Sequence, residues 1–167
     1  QAFTSYALSI SKEENAKKIY AKIFEYYVYI GMFCALLLGL LAKFILHLFT
    51  NEKYISAYVV IGILAFNVVI SGAIQVVSIA NLLAKDNKPI ARAAAFSVMI
   101  TVAGYFLLIP FLGKEGAAMT VAAGNLASTI YITARAQKLY FVPYNFVRIV
   151  SFSVFVTGIY VVYVTLF

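Results

Sequence analysis

From Tyr54 to Ala84 the chain reads "YISAYVVIGILAFNVVISGAIQVVSIANLLA", with no charged side chain anywhere in it. A helix of about 20 apolar residues already crosses the ~30 Å hydrocarbon core of a bilayer. A soluble domain of this size has no interior large enough to hide such a chain. Domains of about 150 residues still leave roughly 30% of their unfolded-chain surface exposed, whereas 64% of these 167 residues are hydrophobic and only 11% are charged. An ordinary soluble domain is roughly 25% charged. Lipid is therefore the expected solvent. The aromatic share of 16%, all of it Phe and Tyr, suits a lipid-facing and interfacial surface.

Other apolar segments surround this one. One runs from about Ile19 to Phe49, longer than the hydrocarbon core requires, so its ends should be interfacial, or the helix tilted or broken near Lys43. Tyr20, Tyr26, Tyr27 and Tyr29 fit one interface. Further segments run from Ile90 to Ile109, stopping at Pro110, and from Lys114 to about Tyr140, with a last span over Phe146–Phe167. Ser11, with Glu14 three residues on, is a plausible cap for the first helix, and Pro89 sits where a first helical turn tolerates proline. No strand alternation persists, and barrel strands would be roughly half as long. The fold class expected is all-α: a polytopic transmembrane helix bundle with one partial plus four full membrane spans, the last span over Phe146–Phe167 being additional to them. Residues 1–10 form the tail of a preceding helix, residues 11–145 the main bundle, and residues 146–167 an additional C-terminal transmembrane helix. The opening "QAFTSYALSI" lacks the marks of a signal peptide. Together with the finish at "VVYVTLF" it suggests part of a longer membrane protein.

The charges alternate by linker. Ser11–Glu25 carries +1, Lys85–Arg92 carries +2, and Arg135, Lys138 and Arg148 together carry +3, while Glu52–Lys53 and Lys114–Glu115 each sum to zero. Basic and neutral linkers in turn are what the positive-inside rule requires of an up-and-down bundle, with the basic linkers in the cytoplasm. With Lys43, which lies outside these groups, the linkers account for the formal charge of +7. It has no basic helix or aromatic-basic interleaving to track a nucleic-acid backbone, so no nucleic-acid partner is expected.

Little here can do covalent chemistry. "GKEG" at Gly113–Gly116 resembles a nucleotide loop only superficially, because a P-loop places Ser or Thr after its Lys. Cys34 lies alone inside an apolar helix, and His47 has no His or Cys partner nearby and reads as a helix-end residue. No catalytic residue, metal site or cofactor is expected. Two other features carry meaning. In "GAAMTVAAGNLAST", Gly116, Ala117, Thr120, Ala123, Gly124, Ala127 and Ser128 place small side chains at three- and four-residue intervals, which lets transmembrane helices approach closely. Polar residues inside the segments are scarce: Asn67, Gln75 and Asn81 lie along roughly one broad face, and Asn125 lies in the small-residue helix. Such groups make interhelical hydrogen bonds or line a wet cavity. No Asp or Glu sits mid-span, so no proton or sodium relay is evident.

The order of features resembles a known family. A basic-acidic linker precedes a long Leu-rich helix ending "AKFILHLFTNEKY"; "ANLLAKDNKP" and "LIPFLGKEGAAMTVAAGN" follow. This succession is similar to the C-terminal half of the bacterial polysaccharide transporters, which flip lipid-linked oligosaccharides of the O-antigen and capsule type. The multidrug and toxin extrusion antiporters belong to the same superfamily. Leu108 to Ala118 is the most specific stretch, and Phe49 with Tyr54 supports it. The resemblance implies half of a two-lobed transporter in the bacterial cytoplasmic membrane, whose other, N-terminal lobe completes a central cavity for a polyprenyl-pyrophosphate-linked oligosaccharide. Cavity candidates from this half are Gln75, Asn67, Asn125, Lys43 and Arg92; for Lys43 and Arg92 a snorkelling side chain at a helix end is the alternative. Other classes remain open: a drug antiporter, which would want a cavity acid, a membrane enzyme of polysaccharide assembly, which would want a large outer loop, and a structural membrane scaffold.

Overall fold

A computed structural model describes residues 9–10, 15–83, 86 and 88–166. The cap expected at Ser11 and Glu14, most of the helix tail expected over residues 1–10, and Lys85 lie outside the described residues. Every regular element among the described residues is helical.

The first apolar segment forms α1, Ala16–Phe49, of 34 residues and so about 50 Å long at 1.5 Å per residue. It runs unbroken through Lys43. There the long side chain stays half-buried against the helix, with its ammonium 5.7 Å from the centroid of the Tyr58 ring, so the charge needs no helix break to find a partner. Thr50 ends α1: its backbone N–H (2.8 Å) and its hydroxyl (2.7 Å) both donate to the Leu46 carbonyl.

The second segment is divided where the sequence suggested one helix from Tyr54 to Ala84. A 3-10 turn, Glu52–Ala57, leads into α2, Tyr58–Val77, and after Ser78 a short α3 spans Ile79–Leu83. At Ser78 the backbone flattens to ψ −9, well short of the helical value of about −42. Asn67 and Asn81 are buried while Gln75 is exposed, so the single polar face expected from the spacing does not form.

The third and fourth segments are recorded as one helical element, α4, Lys88–Leu139, interrupted by Gly113 at φ 54 and ψ −129. Contacts across this point show that the chain reverses there. A Cβ on Gly104 would lie against Thr120, one on Gly116 would sit 2.6 Å from the Leu108 carbonyl oxygen, and one on Gly124 would sit 2.9 Å from that of Ser97. In a continuous helix Ser97 and Gly124 would be about 40 Å apart. The element is therefore an antiparallel pair, a first limb over residues 88–112 and a second over 114–139. Pro110 does not stop the first limb as expected. It sits in that limb's last turn, and the reversal falls on Gly113, whose positive φ only glycine adopts without strain. At the other end the Asp86 carboxylate accepts the Lys88 N–H at 3.1 Å, and Pro89 occupies the first turn.

Helix directions follow from matched contacts. Gly39 meets Gly62, Gly31 meets Val69 and Tyr27 meets Gly72, so α1 and α2 are antiparallel. Asn67 meets Asn125 and Ser56 meets Lys114, so α2 and the second limb run parallel. The final helix α5, Phe146–Leu166, runs parallel to α1, since the Tyr29 ring meets that of Phe152 edge-on and the Tyr163 hydroxyl donates to the Leu40 carbonyl. Among the described residues this gives five apolar passes of alternating direction. Phe24, Val28, Phe66, Val69, Ile132 and Tyr160 belong to their shared core. The outside is as apolar as the inside, with Phe106 80% and Phe111 85% exposed. Four helical stretches, Ala16–Phe49, Glu52–Leu83, Lys88–Leu139 and Phe146–Leu166, are long and apolar enough to cross a membrane. The chain is thus an all-helical protein suited to lipid.

Candidate functional site

The polar groups that matter most lie halfway along the helices. Asn67 is central in α2, Asn125 is central in the second limb of α4, and Ser97 comes from the first limb. The Asn125 amide spends both of its protons on α2: Nδ2 donates to Asn67 Oδ1 at 2.9 Å and to Ser71 Oγ at 3.1 Å. Its carbonyl oxygen accepts a longer, 3.5 Å contact from the Ser97 hydroxyl. One turn on, the Thr129 hydroxyl donates to the Asn125 backbone carbonyl at 2.8 Å and lies 3.4 Å from the Ile70 backbone carbonyl. Three helical segments are thereby joined through a neutral seam of amides and hydroxyls. An interhelical hydrogen bond of this kind stabilises a membrane bundle by roughly 0.6 to 2 kcal/mol.

The stripe of small residues explains why the seam can be so tight. Gly116, Thr120, Gly124 and Ser128, each four residues from the next, are all buried, and Ile132 and Ala136 continue the same line. That line faces the first limb at Gly104 and Thr101. Ala123, expected on the packed face, is exposed instead. The four-residue spacing selects one neighbour of each small pair, and Ala123 is one position off it.

Of the cavity candidates, Asn67 and Asn125 are brought together. Gln75 is exposed on α2, two turns nearer its C-terminal end, with no bond to the seam. Lys43 and Arg92 lie at opposite ends of the bundle and neither reaches it. Arg92 is exposed at the start of α4, and His47 is exposed in the last turn of α1. The sequence reading omitted Ser71, Thr129 and Ser97. A signal existed for the first two, because each lies four residues beyond a candidate asparagine and so on the same helix face. No group of His, Cys, Asp or Glu able to hold a metal occurs among the described residues. Neither the shallow depression along α5 at Val154–Val162 nor that at Leu48–Tyr54 touches the seam.

Asn81 is a different case. It is 0% exposed, and among the described residues neither its amide nitrogen nor its oxygen has a hydrogen-bond partner, nor has the buried hydroxyl of Ser78. A buried polar group with no partner costs about 1 to 3 kcal/mol. Asn81→Leu, which keeps the volume and removes both unmet groups, is therefore expected to raise the thermal midpoint by a few degrees. A lower midpoint for the same variant would show that Asn81 is hydrogen-bonded in the folded protein.

Charge divides the bundle lengthwise. The alternating directions place Lys17 and Lys22 of α1, Lys88 and Arg92 of the first limb, Arg135 and Lys138 of the second, and Arg148 of α5 at one end. The other end carries Glu52, Lys53, Lys114 and Glu115, where the Lys114 ammonium donates to the Ser56 hydroxyl at 2.6 Å. At the basic end the loop between α4 and α5 is seated by Tyr144, whose ring lies 4.9 Å from that of Phe24 and 5.5 Å from that of Phe146. Burial pushes the Tyr144 hydroxyl up to about 12, so it stays neutral across the physiological range. No family model, curated protein or solved structure matches this chain.

Proposed function

We propose that this chain forms one helical lobe of a bacterial inner-membrane transporter that flips lipid-linked oligosaccharide units by alternating access. The observation that carries the proposal is where the polar groups lie. The hydrogen-bonding side chains converge at mid-depth between three helical segments, while the turn at Gly113 is too short to hold a catalytic loop. A transporter places its working groups at the membrane midplane, whereas an enzyme of assembly needs reactive side chains at a leaflet. The close hairpin of α4 gives such a lobe a rigid body to rock, and its likeness over Leu108–Ala118 to polysaccharide transporters supplies the cargo class. A second lobe would complete the cavity around the sugar-pyrophosphate head, and the polyprenyl tail would stay in lipid.

The test is where the cargo stops. Cells lacking the protein are expected to lose surface polysaccharide while continuing to make its lipid-linked unit, with that unit on the inner leaflet. Units stranded unjoined on the outer leaflet would instead indicate an assembly enzyme. Intact polysaccharide with altered sensitivity to cationic compounds would indicate a drug antiporter.

A further inference from the structure

We infer that the loop joining α4 to α5 is a docking platform for an anionic phospholipid of the cytoplasmic leaflet. The inference rests on the membrane reading alone and holds whatever the cargo.

The loop is rigidly built. The Gln137 side chain clamps it from both sides, donating from Nε2 to the Val142 carbonyl at 2.8 Å and accepting the Val142 N–H at Oε1 at 3.0 Å. Asn145 then starts α5, its Oδ1 accepting the Arg148 N–H at 3.3 Å. Val142 is buried and Tyr144 is wedged between aromatic rings, so the loop has little freedom to rearrange. On this frame Lys138 and Arg148 are exposed at the two edges, and Phe141 and Val147 are exposed beside them at 65% and 77%.

The neighbouring cations are held by aromatic faces. Lys17 sits 5.0 Å from the Tyr140 ring centroid and the Arg135 guanidinium 5.7 Å from that of Tyr131. Ring faces orient a cation while leaving its charge unneutralised; Glu25 is the described carboxylate beside Arg148, and its Oε1 accepts the Tyr29 hydroxyl at 2.8 Å. Cations in excess of that carboxylate, beside exposed apolar side chains, match one kind of molecule: a phosphodiester headgroup with acyl chains attached. A zwitterionic headgroup brings its own cation into the same field and is disfavoured. A free phosphate gains nothing from Phe141 and Val147.

Purified protein, delipidated and titrated with phosphatidylglycerol or phosphatidylcholine, would be examined by native mass spectrometry at low salt. Phosphatidylglycerol should be retained preferentially, and the preference should shrink as salt rises. Lys138→Gln with Arg148→Gln should weaken retention roughly 30-fold, given the attraction that each basic residue supplies near an anionic surface. Lys53→Gln with Lys114→Gln, at the opposite end, should leave it unchanged. Phe141→Asn should weaken retention without altering its salt dependence. Equal retention of the two lipids, an equal loss from the pair at the opposite end, or binding of glycerol phosphate as tight as that of the intact lipid would each overturn the proposal. The thermal midpoint of each variant in phosphatidylcholine, expected to match the parent, separates loss of the site from loss of the fold.

Discussion

Gly124→Leu is expected to force the two limbs of α4 apart and to destabilise the protein by about 3 kcal/mol or more, at the upper end of the cost of overpacking. The obstacle is backbone. A Cβ at this position meets the Ser97 carbonyl oxygen at 2.9 Å and also contacts the Thr101 hydroxyl, and neither limb can turn a carbonyl aside as a flexible side chain would turn. The cost should extend to the seam, because Asn125 is the next residue and its amide joins the second limb to α2. Ala123→Leu is the control. Ala123 lies on the exposed side of the same helix, so a leucine there should change stability by less than about 0.5 kcal/mol. Unfolding of the purified protein in detergent, by heat or denaturant, reads both. Similar losses at the two positions would mean that the four-residue stripe is not the contact face.

Tyr160→Ala should cost about 3 kcal/mol, the size seen when a buried aromatic is cut back to alanine. Tyr160 pins α5 to the bundle. Its ring covers Gly39 and Gly62 where α1 and α2 cross, lies tilted with its centroid 5.4 Å from that of Phe66, and places its hydroxyl 3.2 Å from the Val59 carbonyl. In lipid the lost packing is not recovered by hydrophobic exclusion, since acyl chains are as apolar as the core. α5 should therefore loosen before the rest unfolds, and proteolysis or hydrogen exchange should report it there first. Tyr160→Phe keeps the ring and gives up only the hydrogen bond, at a cost of about 1 kcal/mol. If the phenylalanine variant fell as far as the alanine variant, the hydroxyl would carry the contact and the ring would not.

How much of this arrangement could be read from the residues follows from what lipid does to a sequence. Runs such as Tyr54–Ala84 announce helices because a bilayer demands length and apolarity, and charged linkers announce which ends meet water. Gly113 marked a turn for the same reason that glycine marks turns elsewhere, whereas Gly116, read as part of that turn, is helical and packs against Leu108. Orientation about each helix axis is another matter. In a soluble protein the apolar stripe points inward, but here Phe106 and Phe111 face outward and Phe24 and Phe66 face inward, so hydropathy carries no sense of side. Ala123 and Gly124 look alike in sequence and differ only in what stands opposite. For the same reason Gln75 seemed as good a cavity residue as Asn67, and Asn81 seemed to continue their face. The break at Ser78 had no proline or glycine to announce it, and Pro110 announced a break that fell at Gly113.

The account rests on a bundle that crosses the bilayer up and down with its basic end in the cytoplasm. Single cysteines at Lys138 and Lys114, in a background with Cys34 replaced, would be offered a membrane-impermeant thiol reagent from each side of sealed membranes. The account predicts labelling of the residue 138 site from the cytoplasmic side only and of the residue 114 site from the outer side only, because the second limb of α4 joins the two ends. Labelling of both sites from the same side would contradict it.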